Sequence, residues 1–325
     1  MSRKKDLYTI PTLSVKELAE KAREYAKSAK APSTLRAYRS DWLQFENWCR
    51  LHRLQSLPAS PDSVALYMAY LAADHTVATI SRRLCSITAK HRTSGFPNSP
   101  ASAHHLVVSE TLRGIRRVLG TAQKGKNPLL TADIRKIVAK CPKGIRGDRD
   151  KLLILIGFAG AFRRSELARM RVQDLTIYKD GAVVDLPRSK TDQQGKGRKV
   201  GIPRGKSRTT CPVRTLERWL KVTAIKSGPL LRPVSKTGRV LSRALDPGSI
   251  GRLVKAAAAR AGLSNVQSIS GHSLRAGAVS QAAKTKTCSE AAIMRHTGHK
   301  TEAMVRRYIR GARIIADSPA RHLGL

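Results

Sequence analysis

The chain has 325 residues, enough for two domains of ordinary size, and its 62 Lys and Arg against 22 Asp and Glu leave a formal charge of +40. A folded chain repels itself at that charge unless a polyanion neutralises it, so nucleic acid is the expected partner, either of an enzyme or of a ribosomal or histone-like binder. Other classes are disfavoured: Cys49, Cys85, Cys141, Cys211 and Cys288 are scattered with no CxxC pair, the N-terminus has no apolar signal segment, and no run approaches the ~18 apolar residues of a membrane span.

Residues 1–14 read as a flexible arm. Val15–Ser28, rich in Ala, Lys and Glu, reads as a helix. Ser33 is placed to cap a second helix in which Tyr38, Trp42, Phe45 and Trp48 recur at spacings of four, three and three, an aromatic stripe for a core. Ser60-Pro61-Asp62 is a helix start, with a capping serine and a proline in the first turn. Helical patterns follow at 64–73, 77–92 and 106–119, so residues 15–120 read as an all-helical unit. Gly120–Pro128 is small, polar and basic, and residues 121–130 read as a linker.

Residues 131–325 form the second domain, opening with Thr131 as a helix cap. Residues 149–162 are a strongly apolar helix and 165–170 a short one. The period then changes. Gly181–Pro187 and Lys199–Pro203 are short and rich in Val, Ile and Leu, and the polar stretch between them makes the pair a hairpin with a long turn. Helical text resumes at 213–225, 247–261, 272–284, 288–296 and 301–310. The fold class is mainly α with a small antiparallel sheet in the second domain. Aromatic residues are 4 % of the chain, so the cores must come from Leu, Ile, Val and Ala.

Several residues could carry chemistry. In Gly271-His272-Ser273-Leu274-Arg275 the His and Arg stand three apart, on one face if the segment is helical, and could hold two phosphate oxygens or one oxygen and a proton. Thr297-Gly298-His299 precedes Tyr308 by nine residues. A tyrosine hydroxyl, with an ordinary pKa of about 10, needs cations and a proton acceptor to act as a nucleophile. Arg163 stands three before Glu166, a spacing that lets the carboxylate aim a guanidinium fork at a phosphate. Lys190 lies in the hairpin turn, able to reach a groove as a proton donor or as a simple DNA contact. Taken singly, each of these is also what a solvated surface or an ordinary core displays.

Taken in order, Arg163, Lys190, His272, Arg275, His299 and Tyr308 closely resemble the tyrosine recombinase (phage integrase) family, in particular its Cre-like and Xer-like members. The family pattern puts the arginine three before the Glu, which selects Arg163 over Arg164. The glycine before His299 and the nine-residue step to Tyr308 select His299 over His296. Cre itself carries a tryptophan at the place of His299. The resemblance spans the chain and implies a two-domain C-shaped clamp on double-stranded DNA with inverted-repeat sites. It also implies a homotetramer on two sites, a Holliday junction, and a 3′-phosphotyrosyl intermediate formed by Tyr308 without ATP, metal or other cofactor. Arg163 and Arg275 would hold the phosphate, Lys190 would be the general acid, His272 the proton acceptor and His299 a donor to a non-bridging oxygen, with Glu166 in support. The tail after Tyr308, with Ile314, Ile315, Leu323 and Leu325, would dock on a neighbouring protomer. A bacterial, phage or plasmid-encoded protein, cytoplasmic and nucleoid-associated, is expected, with a type IB topoisomerase as the nearest alternative chemistry.

Overall fold

A computed structural model describes residues 13–96, 105–122, 125–187, 197–285, 288–313 and 318–323. The chain divides into two compact units, 1–123 and 124–325. The first is helical: α1 (Val15–Ser28), α2 (Pro32–Leu51), α3 (Pro61–Ala72), α4 (Val77–Thr93) and α5 (Leu106–Leu119). Its core holds three of the four residues of the expected aromatic stripe of α2, Trp42, Phe45 and Trp48, with the Tyr67 ring of α3 tilted 5.0 Å from Phe45 and 5.1 Å from Trp48; Tyr38, one turn earlier, is only half-buried and lies outside it. Ser60 caps α3 by accepting the Ser63 N–H, and Pro61 takes the first helical position. Ser33 does not cap α2. The helix begins one residue earlier at Pro32, whose fixed φ suits the first turn, and the cap position falls on Ala31 with no side-chain bond.

The second unit comprises α6 (Thr131–Ala139), α7 (Ile145–Ala159), α8 (Arg164–Arg169), β1 (Leu175–Ile177), β2 (Gly181–Leu186), β3 (Arg198–Pro203), α9 (Pro212–Thr223), α10 (Pro247–Arg260), α11 (Gly271–Lys284), α12 (Glu290–Thr297) and α13 (Glu302–Arg313). Thr131 is the first residue of α6 rather than its cap. The cap position is Leu130, whose N–H is taken at 2.9 Å by the Asp133 carboxylate. The hairpin pairs antiparallel, Val184 opposite Val200, and gains a third strand, β1, on the outer side of β2. Three residues are too few for an alternating pattern to announce a strand. The mixed fold class, helical with a small antiparallel sheet, is the one expected.

α7 is buried on every side over Leu152–Ile156 and forms the centre of the larger core, with Trp219 of α9 fully buried and its indole N–H donated to the Leu230 carbonyl at 2.9 Å. The helix stops earlier than its apolar run suggests. Ala161 turns left-handed at φ 48°, and the Phe162 N–H closes back on the Gly157 carbonyl at 3.2 Å. A smaller, separate cluster holds Val279 and Ala283 of α11, Ile293 of α12 and Val305 of α13, with Tyr308 packed against it. Among the described residues no helix is long and apolar enough to cross a membrane.

α11 lies against the segment that enters the unit. Leu129 N–H donates to the Ser273 carbonyl at 3.1 Å, and a Cβ on Gly277 would lie 1.8 Å from the Leu129 carbonyl oxygen. That approach requires glycine. In an exposed helix interior Gly→Ala gains about 1 kcal/mol from helix propensity. Here Gly277→Ala is expected to cost about 1–3 kcal/mol instead, because backbone must move to admit the methyl. Thermal unfolding of the full chain should show the second unit melting lower by about 2–4 °C per kcal/mol. A rise in midpoint would contradict the contact.

Candidate active site

Arg163 is the N-cap residue of α8, and Glu166 is its third helical residue. The Glu166 carboxylate accepts the Arg163 backbone N–H through Oε2 at 2.8 Å and the Arg163 Nη1–H through Oε1 at 2.8 Å. The spacing of three is therefore helix-capping geometry that also grips the guanidinium. A second arginine shares the same carboxylate. Arg198, the first residue of β3, donates Nη2–H to Glu166 Oε2 at 3.1 Å and Nη1–H to the His296 carbonyl. Sequence reasoning missed Arg198. Lys196, Arg198 and Lys199 are three cations in four residues, and nothing in the text tells which one turns inward. Arg164 is exposed, its aliphatic stem lying over Gly271.

α11 supplies the next two groups. Ser270 caps it, accepting the His272 N–H, and sets His272 and Arg275 one turn apart. Arg275 is 1 % exposed. Its Nη1 donates to the Ala161 carbonyl at 2.7 Å and the Thr297 carbonyl at 2.8 Å, while Nη2 donates to His299 Nε2 at 2.9 Å. Arg163 Nη2–H reaches the Gly298 carbonyl at 3.2 Å. His272 Nε2 lies 2.8 Å from the Tyr308 hydroxyl, and the His299 ring stands 6.0 Å from the Tyr308 ring. Gly298, left-handed at φ 68°, ends α12 and turns His299 into the cluster; a Cβ there would also press within 3.0 Å of Arg198 Nε.

Arg163, Glu166, His272, Arg275, His299 and Tyr308 thus come together, from four separate stretches of chain. His296 does not join them: its Nε2 bonds the Ala159 carbonyl at 2.8 Å, a tie between α12 and the end of α7. Lys190 lies outside the described residues. β3, which carries Arg198 into the cluster, begins at the exit of the segment that contains it.

Three guanidiniums meet one carboxylate here, so the site has excess positive charge. Its effect is visible on the neighbours. Burial, followed by repulsion from Arg163, lowers Arg275 to about 10, which leaves it protonated at neutral pH. Burial and then Arg275 hold His299 down to about 3. His272 is lowered by burial, then by Arg275 and Arg163, and His296 is lowered chiefly by burial. All three imidazoles are neutral at pH 7. Fixed cations, a hydroxyl and a neutral imidazole beside it are what an attack on a phosphate diester requires.

The Phage integrase family model matches residues 128–313. An integrase/recombinase XerD homolog of Selenomonas ruminantium is 37 % identical over 302 residues, covering 93 % of this chain and 88 % of the relative. Recombinase Cre of Escherichia phage P1 is 28 % identical over 283 residues, covering 81 % and 79 %. In fold, the chain resembles a lambda integrase chain from the structure of a tetramer bound to a Holliday junction, with a TM-score of 0.56 at 17 % identity over 90 % of this chain and 77 % of that one. With a family model over more than half its length and a relative matched almost end to end, the chain belongs to the phage integrase family, the tyrosine recombinases, enzymes that cleave and rejoin DNA strands in site-specific recombination.

Proposed function

We propose that Tyr308 attacks a DNA phosphate and becomes covalently joined to the 3′ end. The observation that carries this reading is the 2.8 Å contact between His272 Nε2 and the Tyr308 hydroxyl inside the arginine cluster. The Tyr308 proton passes to neutral His272 as the Oη–P bond forms and the bond from phosphorus to the 5′-oxygen breaks. Lys190, assigned by family resemblance, returns a proton to the departing 5′-oxygen. Arg163 and Arg275 neutralise the non-bridging oxygens, where charge accumulates, and His299 adds a hydrogen bond to them. Glu166 aims Arg163, assisted by Arg198. The phosphotyrosyl ester conserves the bond, so a 5′-hydroxyl from a partner strand reseals it with no call for ATP or a metal.

The same reading extends to assembly. Lambda integrase, whose fold is shared, forms a tetramer on a Holliday junction. Four copies of this chain on two inverted-repeat DNA sites would exchange strands through such a junction. Both units would hold the duplex, joined through the linker at 121–130, and the protein would act on bacterial, phage or plasmid DNA in the cytoplasm. The C-terminal tail would dock on a neighbouring copy. Ile314, Ile315 and Leu325 of that tail lie outside the described residues, whereas Leu323 is 67 % exposed, an apolar side chain that docking would cover.

The test uses a duplex selected by this protein from a random pool and nicked beside the cleavage point, so that the cut strand diffuses away. Wild-type protein should give a denaturant-resistant adduct on a DNA 3′ end. Tyr308→Phe should bind the duplex within a few-fold of wild type and give none. An adduct formed by that variant would remove Tyr308 from the role.

The pH dependence has a definite sign. His272 works as an acceptor only when neutral, and its pKa lies below the ordinary imidazole value of 6.5. Cleavage kcat/KM, which reports the free enzyme, should therefore hold level as pH falls through 6.5. It should drop, by about tenfold per unit, only below the shifted pKa. A midpoint at 6.5 or above would take the role away from His272.

A further inference from the structure

Thr297 is the last residue of α12, 2 % exposed, and its hydroxyl has two close partners, the Ile293 carbonyl at 2.7 Å and His299 Nδ1 at 2.7 Å, with the Met294 carbonyl at 3.5 Å. Counting protons fixes the direction of each bond. An arginine Nη can only donate, so the 2.9 Å contact from Arg275 Nη2 makes His299 Nε2 an acceptor. A neutral imidazole whose Nε2 accepts carries its proton on Nδ1. Nδ1–H then donates to the Thr297 oxygen, and the Thr297 hydroxyl proton goes to the Ile293 carbonyl. The chain of bonds runs from Arg275 to His299 to Thr297 to the end of α12, with the single N–H proton of His299 and the single O–H proton of Thr297 both in use.

In this form His299 has no N–H directed at the reacting group. Donation to a phosphate oxygen needs the other tautomer, with the proton on Nε2 and a lone pair on Nδ1. A hydroxyl at Nδ1 serves both forms. It accepts from Nδ1–H while donating to Ile293, or it turns and donates to Nδ1. We propose that Thr297 is a positioning residue that supports whichever tautomer of His299 its Nε2 partner selects, so that the imidazole can change form when DNA binds. In the DNA-free enzyme Arg275 selects the Nδ1–H form, and the Thr297 oxygen accepts that proton and steadies the ring. When a phosphate takes the Arg275 donor, the Thr297 O–H rotates onto Nδ1 and supports the Nε2–H form. The imidazole gives up one proton to solvent at Nδ1 and takes one at Nε2, so its charge is unchanged.

The part of this proposal that concerns phosphate rests on the strand-transfer reading; the tautomer of the DNA-free enzyme does not. Two readouts separate them. Long-range proton–nitrogen NMR on the full chain with labelled histidine, assigned with His299→Gln, should show Nδ1–H on His299 in the absence of DNA. In Thr297→Val, which keeps the shape and removes the hydroxyl, Arg275 still holds Nε2 as an acceptor, so Nδ1–H should persist but lose its hydrogen bond, shifting its resonance and speeding its exchange with solvent. Cleavage of the selected nicked duplex by Thr297→Val should fall by about tenfold to a hundredfold in kcat, the scale seen when the partner that fixes a functional imidazole is lost, with DNA affinity unchanged. Thr297→Ser should restore both readouts to within a few-fold. A wild-type His299 found as Nε2–H without DNA would overturn the proposal. So would a serine variant as impaired as the valine one, since that outcome indicates packing. If Tyr308→Phe forms an adduct, the strand-transfer reading fails while the tautomer result stands.

Discussion

Arg275 is a cation at 1 % exposure whose protein partners are backbone carbonyls and a neutral imidazole, not a carboxylate of its own. Burying a charge is costly unless it is well solvated by the protein. The solvation here comes from two helix ends. The last carbonyls of an α-helix lack partners within the helix and carry partial negative charge. α12 closes at Thr297 in the site, and α7 closes at Ala159 just before the left-handed turn whose Ala161 carbonyl reaches it. Ala161 and Thr297 bond Arg275, Gly298 bonds Arg163, and His296 bonds Arg198. A carboxylate paired to each arginine would have cancelled the charge that a phosphate must meet. Carbonyl dipoles stabilise the cation and leave that charge in place. The lowering of Arg275 to about 10 marks the cost of burial, and the group stays protonated.

The field of these arginines also explains the bases beside them. Burial first, and then the positive neighbours, disfavour imidazolium, so His272 and His299 stay neutral where solvent-exposed histidines would begin to charge. The arginines that supply the binding charge therefore also reinforce the proton-accepting capacity that burial creates. Glu166 tempers the field without abolishing it, because a single carboxylate is shared by the Arg163 N–H, the Arg163 guanidinium and Arg198. Tyr308 reaches this field from α13, whose Val305 is fully buried in the small cluster with α11 and α12 and apart from the larger core around α7. The hydroxyl and its acceptor are thus positioned by the same three helices.

Much of this was legible in the sequence for a reason that the geometry supplies. The informative spacings are helix-terminus spacings. Three residues from Arg163 to Glu166 is the distance from an N-cap to the residue that caps back onto it. Three from His272 to Arg275 is one turn at the start of α11, and Gly298 before His299 is the left-handed exit of α12. Caps constrain residue type strongly, so their traces survive in the text. The helix runs were readable through their apolar period, and the hairpin through its change of period. Errors fell where the signal is weak: α2 begins with a proline at Pro32 rather than with Ser33 as cap, α6 is capped through Asp133 rather than Thr131, and the three residues of β1 are too short to alternate.

What stayed hidden was the backbone. Every residue carries a carbonyl, so no pattern of side chains announces that those of Ala161, Thr297 and Gly298 converge on two arginines. The inward turn of Arg198 is hidden for a related reason. Its selection among neighbouring cations depends on the register of β3 against β2, where Leu186 pairs with Arg198. Register is a property of two strands together and is not written in either alone. The overall charge of +40 gives the partner but not the chemistry, because most of those cations lie outside the cluster. The chemistry depends on how three of them are solvated, and that is decided by where two helices stop.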